Sequence, residues 1–148
     1  MILALDQAYT ATGWAIIDDS PPITPITWGV IKPPAKGPRA AKRRYIIDQI
    51  ADLSVQPDLI VIEELWERPG ISLSTALIDY AYSNRIEIKA LNVLSWKKAV
   101  LGNAKATKAD SLAFVSTIDQ KINDHNIADA ICIGICASTS PKLLKQAE

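Results

Sequence analysis

The sequence predicts a mixed α/β domain with a five-stranded sheet, and three observations carry that prediction. Two short runs, Ile2-Leu3-Ala4-Leu5 and Leu59-Ile60-Val61-Ile62, are continuously apolar rather than alternating, the pattern of strands covered on both faces. The first run is followed closely by two more strand-like segments, which makes a short antiparallel meander. Beyond them helical and strand-like segments alternate and then give way to helices, an order that suits one layered α/β unit.

Taken in order, residues 2–6 are the first strand, and after the punctuation of Gly13 the segment Trp14-Ala15-Ile16-Ile17-Asp18 is the second. Asp19-Ser20-Pro21-Pro22 makes a turn, Thr27–Lys32 the third strand, and Pro33-Pro34-Ala35-Lys36-Gly37-Pro38 a loop. A helix over Arg39–Leu53 follows, and Pro57-Asp58 leads into the strand 59–63. Ser72 or Ser74 is suited to cap a helix that runs to about Asn84. Ile86–Leu91 is the fifth strand. Ser95 caps a short helix from Trp96 to Leu101, which Gly102-Asn103 breaks. Lys105–Ile118 reads as helical, and Asp124 as the N-cap of a last helix through Cys136. No repeat, low-complexity tract or linker divides residues 1–148, so they read as one domain.

Composition narrows the class without choosing a function. A chain of 148 residues buries ~68–70% of its unfolded surface, enough for one core. Its 16 basic and 16 acidic residues cancel, so any affinity for a polyanion must come from how charge is distributed. The longest uncharged stretches are too short and too polar to span a bilayer, which takes ~20 apolar residues. Five neutral residues precede Asp6, which is no secretory signal. Cys132 and Cys136 lie in one apolar segment and read as buried helical thiols rather than a disulfide or zinc site. A cytoplasmic protein is expected.

The chemistry concentrates in acids at the ends of hydrophobic elements. Asp6 closes the first apolar run, Glu63-Glu64 closes the second, and Asp129 sits in Asp124-His125-Asn126-Ile127-Ala128-Asp129. A carboxylate on a buried strand costs several kcal/mol unless it is paired or bound to a metal. Three of them, brought together by a rigid scaffold, suit Mg²⁺, which takes oxygen ligands. Side chains alternate across a sheet, so Glu63 and Glu64 cannot share a site. Glu63 is preferred, with Glu64 the fallback. His125 and Asn126 lie four and three residues before Asp129, on the same helical face. Either could add a ligand, whereas Asp124 reads as a cap.

These residues together resemble a known family. Leu5-Asp6 with Gly13-Trp14, then Val61-Ile62-Glu63, then Lys97-Lys98-Ala99-Val100-Leu101-Gly102, then Ile127-Ala128-Asp129-Ala130 are similar in order and spacing to the RuvC-type Holliday junction resolvases. Those belong to the ribonuclease H-like (retroviral integrase) superfamily. The resemblance spans about residues 2–137. It implies a ribonuclease H-like sheet, with two parallel strands joined to the meander and helices on the flanks. It also implies a homodimeric, Mg²⁺-dependent endonuclease, with Mn²⁺ able to substitute, that nicks two opposed strands of a four-way DNA junction symmetrically.

By position, the resemblance puts Asp6, Glu63 and Asp129 on the metal-binding acids. The family's two-metal hydrolysis would place two ions ~4 Å apart with Asp6 between them. Asn126 stands where relatives carry an acid or a histidine, so Asn126, His125 or Asp124 is left to supply a fourth ligand. Gln7-Ala8 replaces a common Pro-Gly. Lys97 and Lys108, spaced around Gly102, match catalytic and phosphate-contacting lysines, with Lys98 and Lys105 beside them. Trp66 matches an aromatic that wedges against bases. The plain alternatives are solvated helix lysines and a tryptophan that anchors its loop.

Independently of those motifs, Lys36, Arg39, Lys42, Arg43 and Arg44 form a basic cluster with no acid between Lys32 and Asp48. That suits a phosphate backbone, and an ordinary helix face also explains it. Ile71–Tyr82 carries more apolar residues than one helix face needs and is the candidate dimer surface. Competing readings are a catalytically weak branched-DNA-binding module, a flap or single-strand nuclease with the same chemistry, and a sugar-kinase-like ATPase. The last needs a second domain that a chain of this length lacks.

Overall fold

The N-terminal apolar run becomes β1 (Ile2–Asp6), and the meander continues through β2 (Thr12–Asp18) and β3 (Thr24–Ile31) in a computed structural model that describes residues 1–148. β1 pairs antiparallel with β2 and parallel with β4 (Leu59–Glu63). β4 in turn pairs parallel with β5 (Glu87–Leu91). The expected meander plus two parallel strands is therefore present. A sixth strand, β6 (Lys145–Gln146), adds antiparallel to the β5 edge, giving the order β3-β2-β1-β4-β5-β6. Two residues are too few to leave a periodic signal in the sequence.

Side-chain parity in β1 decides what each sheet face does. Ile2 and Ala4 pack with Ala15, Ile17, Val61 and Leu91 against α3 (Val93–Leu101), α4 (Lys108–Ser116) and α5 (His125–Thr139). Leu3 and Leu5 pack with Ile16, Ile60 and Ile62 against α1 (Arg39–Ala51) and α2 (Arg68–Ser83). Both faces are covered, which is why neither run alternates. Asp6 and Glu63 share the parity of Ala4 and Val61 and so face α5.

Most sequence boundaries hold within a few residues, and the departures have local causes. β3 starts at Thr24, not Thr27, because a bulge at Ile16/Ile17 lets Pro25 pair opposite Ile17; an edge strand tolerates proline there. α2 begins at Arg68, before either expected serine cap, with proline in its first turn, a favoured position. Ser72 and Ser74 lie inside the helix and donate back to Pro69 and Gly70 carbonyls. Asn92, not Ser95, caps α3, its Oδ1 accepting from Leu94 N and Ser95 N. A Thr107–Asp110 capping box starts α4 later than Lys105. Asp124 caps α5 as expected, and the helix runs on to Thr139.

α5 crosses β1 and β2 at a distance that only small residues allow. A Cβ added to Gly13 would lie 1.9 Å from the Asn126 carbonyl oxygen. A Cβ on Gly134 would lie 2.4 Å from Ile17 Cγ1. Gly13 is the register partner of Asp6, so the first turn of α5 rests beside the end of β1. Gly13→Ala is expected to destabilise the protein by about 1–3 kcal/mol, the usual cost of overpacking. Denaturant unfolding checks this, and a stability equal to wild type would mean that α5 is not seated on Gly13.

Candidate active site

Three elements deliver one carboxylate each to the carboxyl ends of the parallel strands, where open α/β sheets form crevices. β1 brings Asp6, β4 brings Glu63, and the first turns of α5 bring Asp129; all three are partly buried. Burial raises all three pKa values. Asp6 is pushed up to about 8, first by burial, then by the negative charges of Glu63 and Asp129. Glu63 is raised by burial and by Asp129, against a hydrogen bond from Trp96 that pulls it down. Asp129 is raised by burial. Asp6 thus feels both other acids, and Glu63 feels Asp129, through a poorly screened space.

Lys97 and Lys108 counter this charge. Lys97 on α3 pulls down all three acids, and Lys108 at the start of α4 pulls down Asp6 and Asp129. Neither lysine forms an ion pair with an acid, although five other ion pairs exist. Lys97 Nζ instead lies 5.7 Å from the centre of the Trp96 ring, within reach of a cation–π contact. Lys98 and Lys105 are exposed and are not among the charges that shift the acids.

Glu63 and Glu64 separate as side-chain alternation requires. Trp96 Nε1 donates to Glu63 Oε2 at 2.8 Å. Glu64 turns to the opposite face, where its Oε2 lies 3.7 Å from Lys145 Nζ of β6. In α5, Asp124 Oδ1 accepts from Asn126 N and Ile127 N at 2.8 and 3.3 Å, so that oxygen is committed to the cap. His125 is near enough for its charge to lower Asp129. Asn126 presses its backbone carbonyl on Gly13. The Ser111 hydroxyl faces Asp129 and tempers its rise, short of hydrogen-bond geometry, so Ser111 Oγ and Asp129 Oδ1 are both buried without a partner.

This donor set fits a hard divalent cation. As the side chains stand, no three of them close to ligand distance. Three partly buried carboxylates, one with an orphaned oxygen, are nevertheless an uncompensated negative charge made of oxygen donors. Mg²⁺ and Mn²⁺ are matched to such donors.

A groove runs across the surface beside Glu63, lined by Gln7, Tyr9, Arg39, Glu63 and Trp66 among others. Trp66 is 74% exposed, so it does not anchor its loop in the core. The basic cluster of α1 divides. Arg39 lies over the Tyr9 ring at 5.9 Å, and Arg43 donates to the Tyr9 hydroxyl at 3.0 Å. Lys42 donates to the Ala35 carbonyl, and Arg44 pairs with Asp48. Lys36 is exposed in the preceding loop. Sequence reasoning passed over Tyr9, Trp96 and Ser111, whose relevance comes from long-range contacts. Gln7 stood out only as an unusual neighbour of Asp6.

Comparison with known proteins follows this geometry. A family model described as crossover junction endodeoxyribonuclease RuvC matches residues 2–137. A crossover junction endodeoxyribonuclease RuvC from Maricaulis maris (strain MCS10) is 26% identical over 147 residues, covering 91% of this chain and 88% of that one. Thermus thermophilus RuvC in complex with Holliday junction substrate superposes with a TM-score of 0.81 at 16% identity, over 97% of each chain. Fowlpox virus resolvase, in complex with substrate Holliday junction DNA, superposes with a TM-score of 0.68 at 14% identity, over 95% of this chain and 97% of that one. At these identities the two structures speak for the fold.

The raised acids make stability depend on pH. The folded pKa of Asp6, about 8, lies above its unfolded value. Its favourable contribution is therefore complete below the unfolded pKa and lost as pH rises through about 8. Asp6→Asn is expected to melt higher than wild type at pH 9 in EDTA, with the gap closing toward pH 4. Thermal melts across that range check it, and a variant that melts no higher at pH 9 contradicts the crowding of the three acids.

Proposed function

The chain belongs to the RuvC family of crossover junction endodeoxyribonucleases, and from that membership we propose that it resolves four-way DNA junctions by cation-dependent hydrolysis of paired phosphodiesters. One observation carries the site assignment: Asp6, Glu63 and Asp129 share the influence of Lys97, and Asp6 and Asp129 that of Lys108 as well. One nuclease domain of residues 1–148 holds every part.

Asp6, Glu63 and Asp129 would hold Mg²⁺, or Mn²⁺ in its place, with His125 or the Asn126 side chain in reach as a further donor from the first turn of α5. A bound divalent cation supplies Lewis acidity toward the phosphate and lowers the pKa of water. The protein's own groups supply the remainder. Lys97 and Lys108, free of ion pairs, are available to a phosphate whose negative charge grows in the transition state; preplaced charges of this kind cost no reorganisation at the moment of reaction. Trp96 keeps Glu63 from swinging out of the crevice. Trp66 offers an exposed ring to an unstacked base, worth ~1–3 kcal/mol per base.

DNA contact extends on both sides of the acids. Arg39 and Arg43 approach from α1, and Lys98 and Lys105 from the α3–α4 side, with Lys36 in reach on its loop. Lys42 and Arg44 carry charge that the Ala35 carbonyl and Asp48 already engage, so their part is smaller. Cys132 and Cys136 are free, buried thiols raised to about 12 and about 11 by burial, inert groups that suit the reducing cytoplasm. No helix is long and apolar enough to cross a membrane.

A four-way junction has two-fold symmetry, which a homodimer with two sites matches. Leu73, Leu77 and Ala81 of α2 turn into the core, and Ile78 packs half-buried against it, leaving Ile71 and Tyr82 along the outer side, with Tyr82 84% exposed. This stripe is the proposed dimer surface. Tyr82→Arg is expected to sediment as a monomer at micromolar concentration and to lose the coupling of the two nicks. A variant that stays dimeric places the interface elsewhere.

The decisive assay is cleavage of a labelled synthetic four-way junction with Mg²⁺, beside linear duplex, flap and single-stranded controls. Symmetric paired nicks in the junction alone are expected from wild type, and none from Asp6→Asn, which should still bind the junction. Nicking of flaps in preference would assign a related nuclease. Metal-independent binding without nicks would leave only a DNA-binding module.

A further inference from the structure

Gln7 follows Asp6 directly, yet it is 3% exposed and points to the opposite face of the sheet, toward α2. The parallel ladder between β1 and β4 stops at Leu5–Ile62. Beyond that point β1 and β4 form no further pair, and both Glu63 peptide groups turn to a side chain. The Gln7 carboxamide takes both. Glu63 N donates to Gln7 Oε1 at 3.0 Å, and Gln7 Nε2 donates to the Glu63 carbonyl at 2.7 Å. Nε2 also donates to Ser74 Oγ at 3.3 Å, and Ser74 Oγ donates to the Gly70 carbonyl at 2.9 Å. A side chain thus serves as one more rung of the sheet, backed by a buried hydroxyl of α2.

The other end of Glu63 is held from the opposite face. Trp96 has no exposed surface, and its indole N–H occupies Glu63 Oε2. Glu63 Oε1 has no hydrogen-bond partner. A long, flexible acid at the end of its strand is in this way fixed twice, at its backbone by Gln7 and at its carboxylate by Trp96.

We infer that Gln7 and Trp96 are positioning residues that preorganise Glu63 for cation binding, with Oε1 as the free donor. The inference rests on the reading of the three acids as a cation site. Gln7 matters because its carboxamide supplies an acceptor and a donor at once, matching both peptide groups of Glu63. Outer contacts that orient a ligand typically change metal affinity by ~10–100-fold when removed.

The test is calorimetric titration of Mn²⁺ into DNA-free wild type, Gln7→Met, Trp96→Phe and the double variant, with melting temperatures in EDTA alongside. Methionine keeps the length and volume of Gln7 but neither bond; phenylalanine keeps most of the ring but not the donor. Each single variant is expected to bind Mn²⁺ roughly 10–100-fold more weakly. The double variant should lose less than the product of the two factors, because both residues act through Glu63. The Mg²⁺ concentration for half-maximal junction cleavage should rise by the same factor as the Mn²⁺ dissociation constant. Variants that melt lower yet bind Mn²⁺ like wild type overturn the inference, since the residues would then be structural only. If Gln7→Met does not fold, Trp96→Phe alone decides. Wild type that binds no Mn²⁺ would instead remove the cation reading itself.

Discussion

Everything at this site depends on how closely α5 lies on the sheet. Gly13 and Gly134 leave room for a helix backbone where any side chain would intrude, down to 1.9 Å in the case of Gly13. Because Gly13 pairs with Asp6 across the β1–β2 ladder, the clearance that admits the helix also sets how near Asp129 comes to Asp6. One more carbon at Gly13 would push the first turn of α5 away, and with it the third carboxylate. The buried small residues Ala128, Ala130 and Cys132 keep the next turns equally close.

That closeness is costly for the fold. Two strand-end acids and one helix acid crowd in partial burial until Asp6 is pushed up to about 8. A protein selected for stability alone would pair such acids with lysines. Here Lys97 and Lys108 stand near enough to lower the acids but form no ion pair with them. Unpaired lysines beside unpaired acids are what a site needs if both are to meet a third party, the acids a cation and the lysines a phosphate. Strongly shifted acids with named charge partners in a cleft are candidates for such places.

Sequence carried the parts that local rules govern. The two apolar runs were legible as buried strands because burial on both faces removes alternation, and the parity rule separated Glu63 from Glu64, leaving Glu63 preferred and Glu64 the fallback. Asp124 was legible as a cap because its spacing to the next apolar residues fits one. The start of α2 was hidden, since Ser72 and Ser74 resemble caps while their hydroxyls bond back along the helix. β6 was hidden because two residues have no period. The fate of the lysine and arginine cluster was hidden too: a run of like charges does not reveal that Arg44 meets Asp48 or that Arg39 and Arg43 meet at Tyr9. Gln7, Trp96 and Ser111 act only through residues far along the chain, which no local window contains.

A protein with no net charge can still hold a polyanion if its charges are sorted by face. The helices on one side of the sheet, α1 and α2, carry Arg39, Arg43 and Arg68; those on the other, α3 and α4, carry Lys97, Lys98 and Lys108. The carboxylates lie between them at the strand ends. A DNA backbone crossing the crevice would meet cations before and after the acids, and its own phosphate only at the acids. On the proposed reading, the acidic middle would repel that phosphate unless a divalent cation intervened, so close approach of the scissile bond would be conditional on the metal while the flanking contacts stayed intact. Affinity and cleavage would then rest on partly different residues, with Lys97 and Lys108 serving both. Loss of an acid should then spare the grip on the junction and abolish the cut, whereas loss of a flanking cation should weaken the grip in a salt-dependent way.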